Sequence, residues 1–172
     1  MKNSGIEIER KYIISLPTAS QMSEMDSYTQ SAITQIYLKS EQGVTHRVRR
    51  RVYADRTVCT ETKKIRIDKM SSIEDEHEIS EPEFVELSKN IAEGSAALSK
   101  VRHTFVYRSQ LFEIDVYPEW HSTCIMETEL TEREKAVEFP PFISFVKEVT
   151  GIKAYSNASM SRCFPEETSA QD

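Results

Sequence analysis

The chain lacks the features that would place it in several common classes. Its three cysteines, Cys59, Cys124 and Cys163, are odd in number and far apart, with no Cys-x-x-Cys pair. That pattern suggests neither a disulfide framework nor a cysteine zinc site. Nowhere is there an uninterrupted apolar run of membrane length, and the opening Met-Lys-Asn-Ser-Gly leads into charged sequence without a signal core. A soluble, cytoplasmic protein with no membrane partner is expected. Excess positive charge is absent too: a net charge of -6 argues against a general coating of nucleic acid, so no specific nucleic-acid binding is expected. His46, His77, His103 and His121 show no metal-ligand spacing and are expected in ordinary surface or core roles. There is no solenoid-length repeat and no low-complexity segment.

What is present is alternation. At 172 residues the chain suits one domain, expected over 1–164, with a polar, disordered tail over 165–172. Residues 6–14 read Ile-Glu-Ile-Glu-Arg-Lys-Tyr-Ile-Ile, the period of a strand with Glu7, Glu9 and Lys11 on one face. Residues two apart on a strand lie roughly 6.6 to 6.8 Å apart. The two carboxylates can therefore share a cation, and unpaired they would repel.

The same pattern recurs along the chain. After a short helix expected within 15–30 on the spacing of Met22, Met25 and Tyr28, residues 33–39 and 44–53 form a hairpin around Gly43. Its second strand sets Arg47, Arg49 and Arg51 on one face. Residues 57–67 carry Glu61, Lys63, Lys64 and Arg66, and residues 71–79 carry Glu74, Glu76 and Glu78 at period two. Ser80 and Glu83 form a capping box opening a helix with Phe84, Leu87 and Ile91, which Gly94 should close. Three further strand-like runs follow, bearing Lys100 and Arg102, Glu113 and Asp115, then Glu127 and Glu129. Residues 131–138 suggest a short helix, Pro140-Pro141 a break, and 142–149 another helix stopped by Gly151. About eight strands in mostly hairpin connection predict an α+β fold, an eight-stranded antiparallel β-barrel with helices packed on the outside.

Charges of one sign are segregated by strand. An eight-stranded barrel is just wide enough to hold one small ligand, so a polar face turned inward would surround a water-filled tunnel with acids and bases. Ile6, Ile8, Val48, Val52, Phe105, Ile114 and Ile125 would then face outward beneath the helices. Such a tunnel needs a highly charged guest with metal ions to neutralise it.

The ordered set Glu7-x-Glu9-x-Lys11, Arg47-x-Arg49, Thr62-Lys63, Glu74 to Glu78, Lys100-x-Arg102, Phe112-Glu113-Ile114-Asp115 and Glu127-x-Glu129 resembles the signature of the CYTH superfamily, the triphosphate tunnel metalloenzymes. Tyr155-Ser156-Asn157 also resembles its C-terminal region, so the likeness spans residues 7–157. It implies hydrolysis of a triphosphate compound inside the tunnel. Thiamine triphosphatases, RNA 5′-triphosphatases and class IV adenylate cyclases share that tunnel.

Hard divalent cations take oxygen ligands. Mg²⁺ or Mn²⁺ is therefore expected on Glu7, Glu9, Glu127 and Glu129, with Glu76 or Asp115 as helpers. Arginine grips phosphate bidentately and lysine acts as a point charge, which makes Lys11, Arg47, Arg49, Lys63, Lys100 and Arg102 the expected substrate-binding set. Lys63 is preferred to Lys64 because it shares parity with Glu61, and Glu74 with Glu76 is preferred to Glu76 with Glu78. The expected catalytic group is Glu7, Glu9, Lys11, Glu76 and Asp115, with no dedicated general base beyond water activated by the metal. The small-molecule substrate is expected to be inorganic triphosphate, since no base-binding segment is recognisable. A class IV-like cyclase, a thiamine triphosphatase and a non-catalytic polyphosphate-binding module are the alternatives.

Overall fold

A computed structural model describes residues 3–168. Its strands are β1 (Asn3–Ser15), β2 (Asp26–Tyr37), β3 (Val44–Val52), β4 (Thr57–Arg66), β5 (Ser71–Ile79), β6 (Leu98–Tyr107), β7 (Gln110–Val116), β8 (Thr123–Glu129) and β9 (Phe145–Glu148). The helices are α1 (Ala19–Ser23), α2 (Glu81–Ser88) and α3 (Asn157–Met160). Eight strands run β5-β4-β3-β2-β6-β7-β8-β1, all antiparallel, and a further pairing of β1 with β5 closes them into a ring.

The first strand makes the closure because it is long enough to change partners. Residues 3–8 pair with β5 and residues 9–15 with β8. Where β5 ends, the same edge of β1 would be left with unpaired backbone groups, and β9 takes them over opposite Tyr12, Ile13 and Ile14, with a register shift between Ile13 and Ile14. Val149 N–H adds a bond to the Lys11 carbonyl at 2.8 Å, and Lys11 N–H donates to Thr150 Oγ1 at 3.0 Å. This demand explains why 142–149 is not the helix its apolar residues suggested. A short apolar run cannot distinguish strand from helix by period, and an open edge decides it. Nor is there a helix in 131–138, where a turn closes with Lys135 N–H on the Glu132 carbonyl.

Period-two alternation gives the ring its two faces. Outward, Tyr12, Ile14, Phe105, Phe112, Ile114 and Met126 form one core, covered by Met22 of α1 and by Val137, Phe139, Phe142 and Ile143. Met25 and Tyr28 pack on it as well, so their spacing reported a common neighbour. The helix itself is only Ala19–Ser23, capped by Thr18 and Gln21, and Tyr28 belongs to β2. A second outer core joins Leu38, Val48, Cys59 and Phe84 under α2. The expected capping box opens α2, with Ser80 N–H donating to Glu83 Oε2 at 2.8 Å. The helix ends well before Gly94, because Ile91 is drawn into a bridge with Leu38 and Asn90 accepts from Lys39 N–H.

Inward, one end of the bore is sealed. Ile13, Leu98, Tyr117, Trp120, Ile125, Val149 and Met160 form an apolar cluster with Tyr155 and Phe164 against it. Ile125 thus faces inward, on the parity it shares with Glu127. The expected disordered tail is anchored as far as it is described: Trp120 Nε1–H donates to the Pro165 carbonyl at 3.1 Å, and Glu167 accepts from Ser122 and Thr123 N–H at 2.7 Å. Residues 169–172 lie outside the described residues. No described helix is long and apolar enough to cross a membrane.

Gly151 is needed where the chain crosses the ring mouth. Its φ is +70°, and a Cβ there would stand 2.8 Å from Lys69 Cβ and 2.9 Å from the Lys69 carbonyl oxygen. Gly43 has a similar φ of +84° with nothing near it. Gly43→Ala should therefore lose about 1 kcal/mol of stability from backbone strain alone. Gly151→Ala should lose about 2 to 4 kcal/mol, since overpacking adds to strain. Urea midpoints at constant m-value measure both, and equal losses would refute the close packing at Lys69.

Candidate functional site

The remaining inner face encloses a cavity of about 740 Å³. Odd positions of β1, β3, β7 and β8 and even positions of β4, β5 and β6 supply its walls. Carboxylates and cations line it in near-equal number, so neither a lone anion nor a lone cation matches its chemistry.

Its floor is a buried ionic web. Asp115, 0% exposed, receives Lys100 Nζ at 2.5 Å and Arg102 Nε and Nη2 at 2.7 Å each. Arg102 continues to Glu113 and to Glu127 Oε2 at 3.0 Å, and Glu127 Oε1 accepts from Lys11 Nζ at 2.6 Å. Burial alone would raise the Glu127 carboxyl, but Lys11, Arg102 and Lys100 hold it well below its ordinary range. Burial likewise works to lower Lys11, and Glu127 and Glu9 overcome it. Lys100 loses that contest: burial, then repulsion by Arg102, pulls its ammonium down to about 8.

One wall is basic. Arg49 Nη2 reaches Glu76 Oε1 and Oε2 at 3.2 and 3.1 Å, and Thr62 Oγ1 donates to the same carboxylate at 2.6 Å. Arg47 stands farther off, 3.9 Å from Glu74 and 3.7 Å from Glu76, and its buried Nε has no hydrogen-bond partner among the described residues. Arg51 donates to the hydroxyls of Ser31 and Thr104. Burial and then Arg47 draw Arg49 down to about 10, whereas Arg47, against burial, is held above its ordinary value by Tyr37, Glu74 and Glu76.

The opposite region is acidic. Lys64 pairs with Glu74 at 2.6 Å and stands 3.7 and 3.9 Å from Glu7 and Glu9, while Arg66 lies 3.8 Å from Glu9. These cations do not suffice. Burial, then Glu74, pushes the Glu7 carboxyl up to about 7, and burial with Glu113, Glu74 and Glu9 raises Glu129. Crowded carboxylates with unrelieved repulsion are what a cation resolves, and hard oxygen donors suit Mg²⁺ or Mn²⁺. The donor chemistry therefore fits a divalent ion. Among the described residues no three side chains already converge as a metal cluster. Of the four expected ligands, Glu127 is the most committed, with both oxygens on cations.

The structure thus brings Glu7, Glu9, Lys11, Arg47, Arg49, Glu76, Arg102, Glu127 and Glu129 to one cavity. It corrects three expectations. Lys63 is exposed on the outer face, and Lys64 is the inward lysine. The parity argument failed because Glu61 itself faces outward, pairing with His46 at 2.7 Å and His77 at 3.2 Å. Lys100 and Asp115 lie beneath the cavity, closed into each other, and line none of it. Glu74 and Glu76 face inward and Glu78 is exposed. Arg51, Arg66 and Glu113 were missed as site residues, although each shares parity with one that lines the cavity. The crossing segment 149–159 had no signal in strand periodicity at all.

No protein-family model matches the chain, and no curated protein matches it by sequence. Solved structures do. The inorganic triphosphatase NE1496 is 24% identical with a TM-score of 0.59, over 93% of this chain and 97% of that one. Protein PH1012 from Pyrococcus horikoshii OT3 is 18% identical with a TM-score of 0.55, over 73% of this chain and 80% of that one. Protein PH1819 from the same source is also 18% identical, with a TM-score of 0.54. The chain shares its fold with these solved structures, an inorganic triphosphatase among them. At these identities the likeness defines the fold, and the chemistry must be read from the cavity.

The raised Glu7 value sets a pH dependence. A folded carboxyl at about 7 against an ordinary 4.5 binds its proton more tightly than the unfolded chain does, so stability falls as pH rises through that window. Glu7→Gln removes this loss. In chelator, the urea midpoint of the variant should gain on the parent between pH 4.5 and pH 8, and a constant gap would refute the crowding of Glu7.

Proposed function

We propose that this protein hydrolyses a small triphosphate compound, inorganic triphosphate foremost, with the help of Mg²⁺ or Mn²⁺. One observation carries the reading: within a single cavity Arg49, drawn down by burial and by Arg47, shares the space with the Glu7 and Glu129 carboxyls, pushed up by burial and by neighbouring carboxylates. A triphosphate with its metal brings anion to the arginine and cation to the carboxylates at once. The fold shared with an inorganic triphosphatase supports this reading.

The roles follow from availability. Arg47, whose Nε has no partner among the described residues, together with Arg49 and Arg51 would take phosphate oxygens, since Arg102 already has all its nitrogens on carboxylates. Asp115 and Glu127 hold Arg102 and Lys11 at the floor, as positioning residues that keep two cations fixed against the substrate. Glu7, Glu9 and Glu129 would hold the cation, which when bound supplies charge neutralisation and Lewis-acid polarisation. Phosphoryl transfer asks little covalent work of the protein beyond this alignment. Inorganic triphosphate is favoured over a nucleotide because the strand-borne walls are charged and the far end is filled by its own aromatic cluster.

The test is phosphate release from triphosphate, ATP, thiamine triphosphate and pyrophosphate with Mg²⁺ or Mn²⁺, with cyclic AMP assayed alongside. Triphosphate should be the best substrate and chelator should abolish turnover. Cyclic AMP from ATP would replace the hydrolase with a cyclase, and chelator-resistant triphosphate binding without turnover would make the protein a polyphosphate-binding module.

Variants separate the charge sets. Arg49→Ala removes a charge-assisted contact of about 1.5 to 3 kcal/mol, so KM should rise roughly ten- to hundredfold. Glu129→Gln should depress kcat by orders of magnitude, partly restored by raised Mg²⁺. Lys64→Ala should impair the enzyme and Lys63→Ala should not. Arg102→Ala is a poor probe, because it leaves Asp115 and Glu127 buried without their partner and unfolds the site.

A further inference from the structure

The outer face of the ring is covered by aromatic residues over β1, β6, β7 and β8 and by α2 over β3 and β4, but one region has no cover among the described residues. There Ile65 of β4 pairs in register with Ile73 of β5, which pairs with Ile6 of β1, while Val44 of β3 extends the row on the other side. Ile6, Ile65 and Ile73 are 68%, 49% and 44% exposed, and Ile67 continues the patch at 50%. Four exposed isoleucines in one stripe exceed the scattered apolar residues of an ordinary surface.

The rows beside the stripe identify what covers it. In the next row Lys63 of β4 stands directly opposite Asp75 of β5, and in the row after that Glu61 stands opposite His77. Each row therefore places complementary groups on the two strands: isoleucine with isoleucine, cation with anion, carboxylate with imidazole. A two-fold axis along the strands, midway between β4 and β5, exchanges the two members of every row. Across such an axis Ile65 meets Ile73 of a second copy, Lys63 meets Asp75, and Glu61 meets His77. Self-complementarity of this kind is the condition for an isologous interface, and packed sheets cross at about 30°, which displaces residues this near the axis very little.

We propose that the protein forms a two-fold dimer by packing this face of β4 and β5, with Ile6 of β1 at its border, against the same face of a second copy. The occupant is a second copy of this chain because the charge rows match their own inverse.

Sedimentation of the full chain over a concentration series tests this. The parent should reach twice the 19.8 kDa chain mass. Ile73→Asp and Ile6→Asp, both at exposed positions, should fall to the single-chain mass while keeping the parent's circular-dichroism spectrum, with unfolding midpoints that no longer rise with protein concentration. Lys63→Asp and Asp75→Lys should each be monomeric alone yet combine when mixed, because each then presents to the other the charge it lacks. Charge pairing within one chain cannot produce that recombination. A parent that stays at single-chain mass, a dimer that survives Ile73→Asp, or variants that fail to combine would each overturn the proposal.

Discussion

Ions buried inside a closed sheet must be met by ions of opposite sign, because stripping water from each costs several kcal/mol. The floor of the bore obeys this rule. Lys100, Arg102 and Lys11 interlock with Asp115, Glu113 and Glu127, and every carboxylate oxygen of Asp115 and Glu127 accepts from a cation. Such a web contributes fixed geometry more than stability. Higher in the bore the rule is deliberately incomplete. Arg47 and Arg49 crowd one side and Glu7, Glu9 and Glu129 the other, with Arg49 drawn down and the Glu7 and Glu129 carboxyls pushed up by burial and like-charged neighbours.

That division depends on β1. A shorter strand could pair with β5 or with β8 but not both, and the ring would stay open. Because β1 passes from one neighbour to the other near Glu9, the residues Glu7, Glu9 and Lys11 fall at the seam, between the acidic wall and the floor. The exchange also leaves an edge for β9, which in turn brings 149–159 across the mouth. Closure of the sheet and construction of the site are thus one event.

Apart from the core under α2, the apolar residues have three separate fates. Ile13, Leu98 and Ile125 seal one end of the bore, the aromatic residues of β6 and β7 lie under α1 and 137–143, and the isoleucines of β4 and β5 remain uncovered. Alternation alone could not separate these cases. Ile125 shares parity with Glu127, so alternation already places it on the inner face, against the outward position expected of it. Whether that inner face meets the cavity or the apolar seal is set by depth in the closed ring.

Period two along each strand was legible from residue order, since β-strand geometry forces alternate side chains to opposite faces. Glu7, Glu9 and Lys11, Arg47 and Arg49, Glu127 and Glu129 therefore declared their shared faces, and Ser80 with Glu83 declared a helix start, because capping is a local hydrogen bond. Three things were decided only in three dimensions. Whether Lys63 or Lys64 turns inward depended on how β4 meets β3 and β5, which no residue of β4 encodes by itself. That residues 145–148 form a strand depended on an unpaired edge of β1 more than a hundred residues earlier. And whether Lys100 and Asp115 meet a ligand or each other depended on depth along the bore, a coordinate that alternation does not contain.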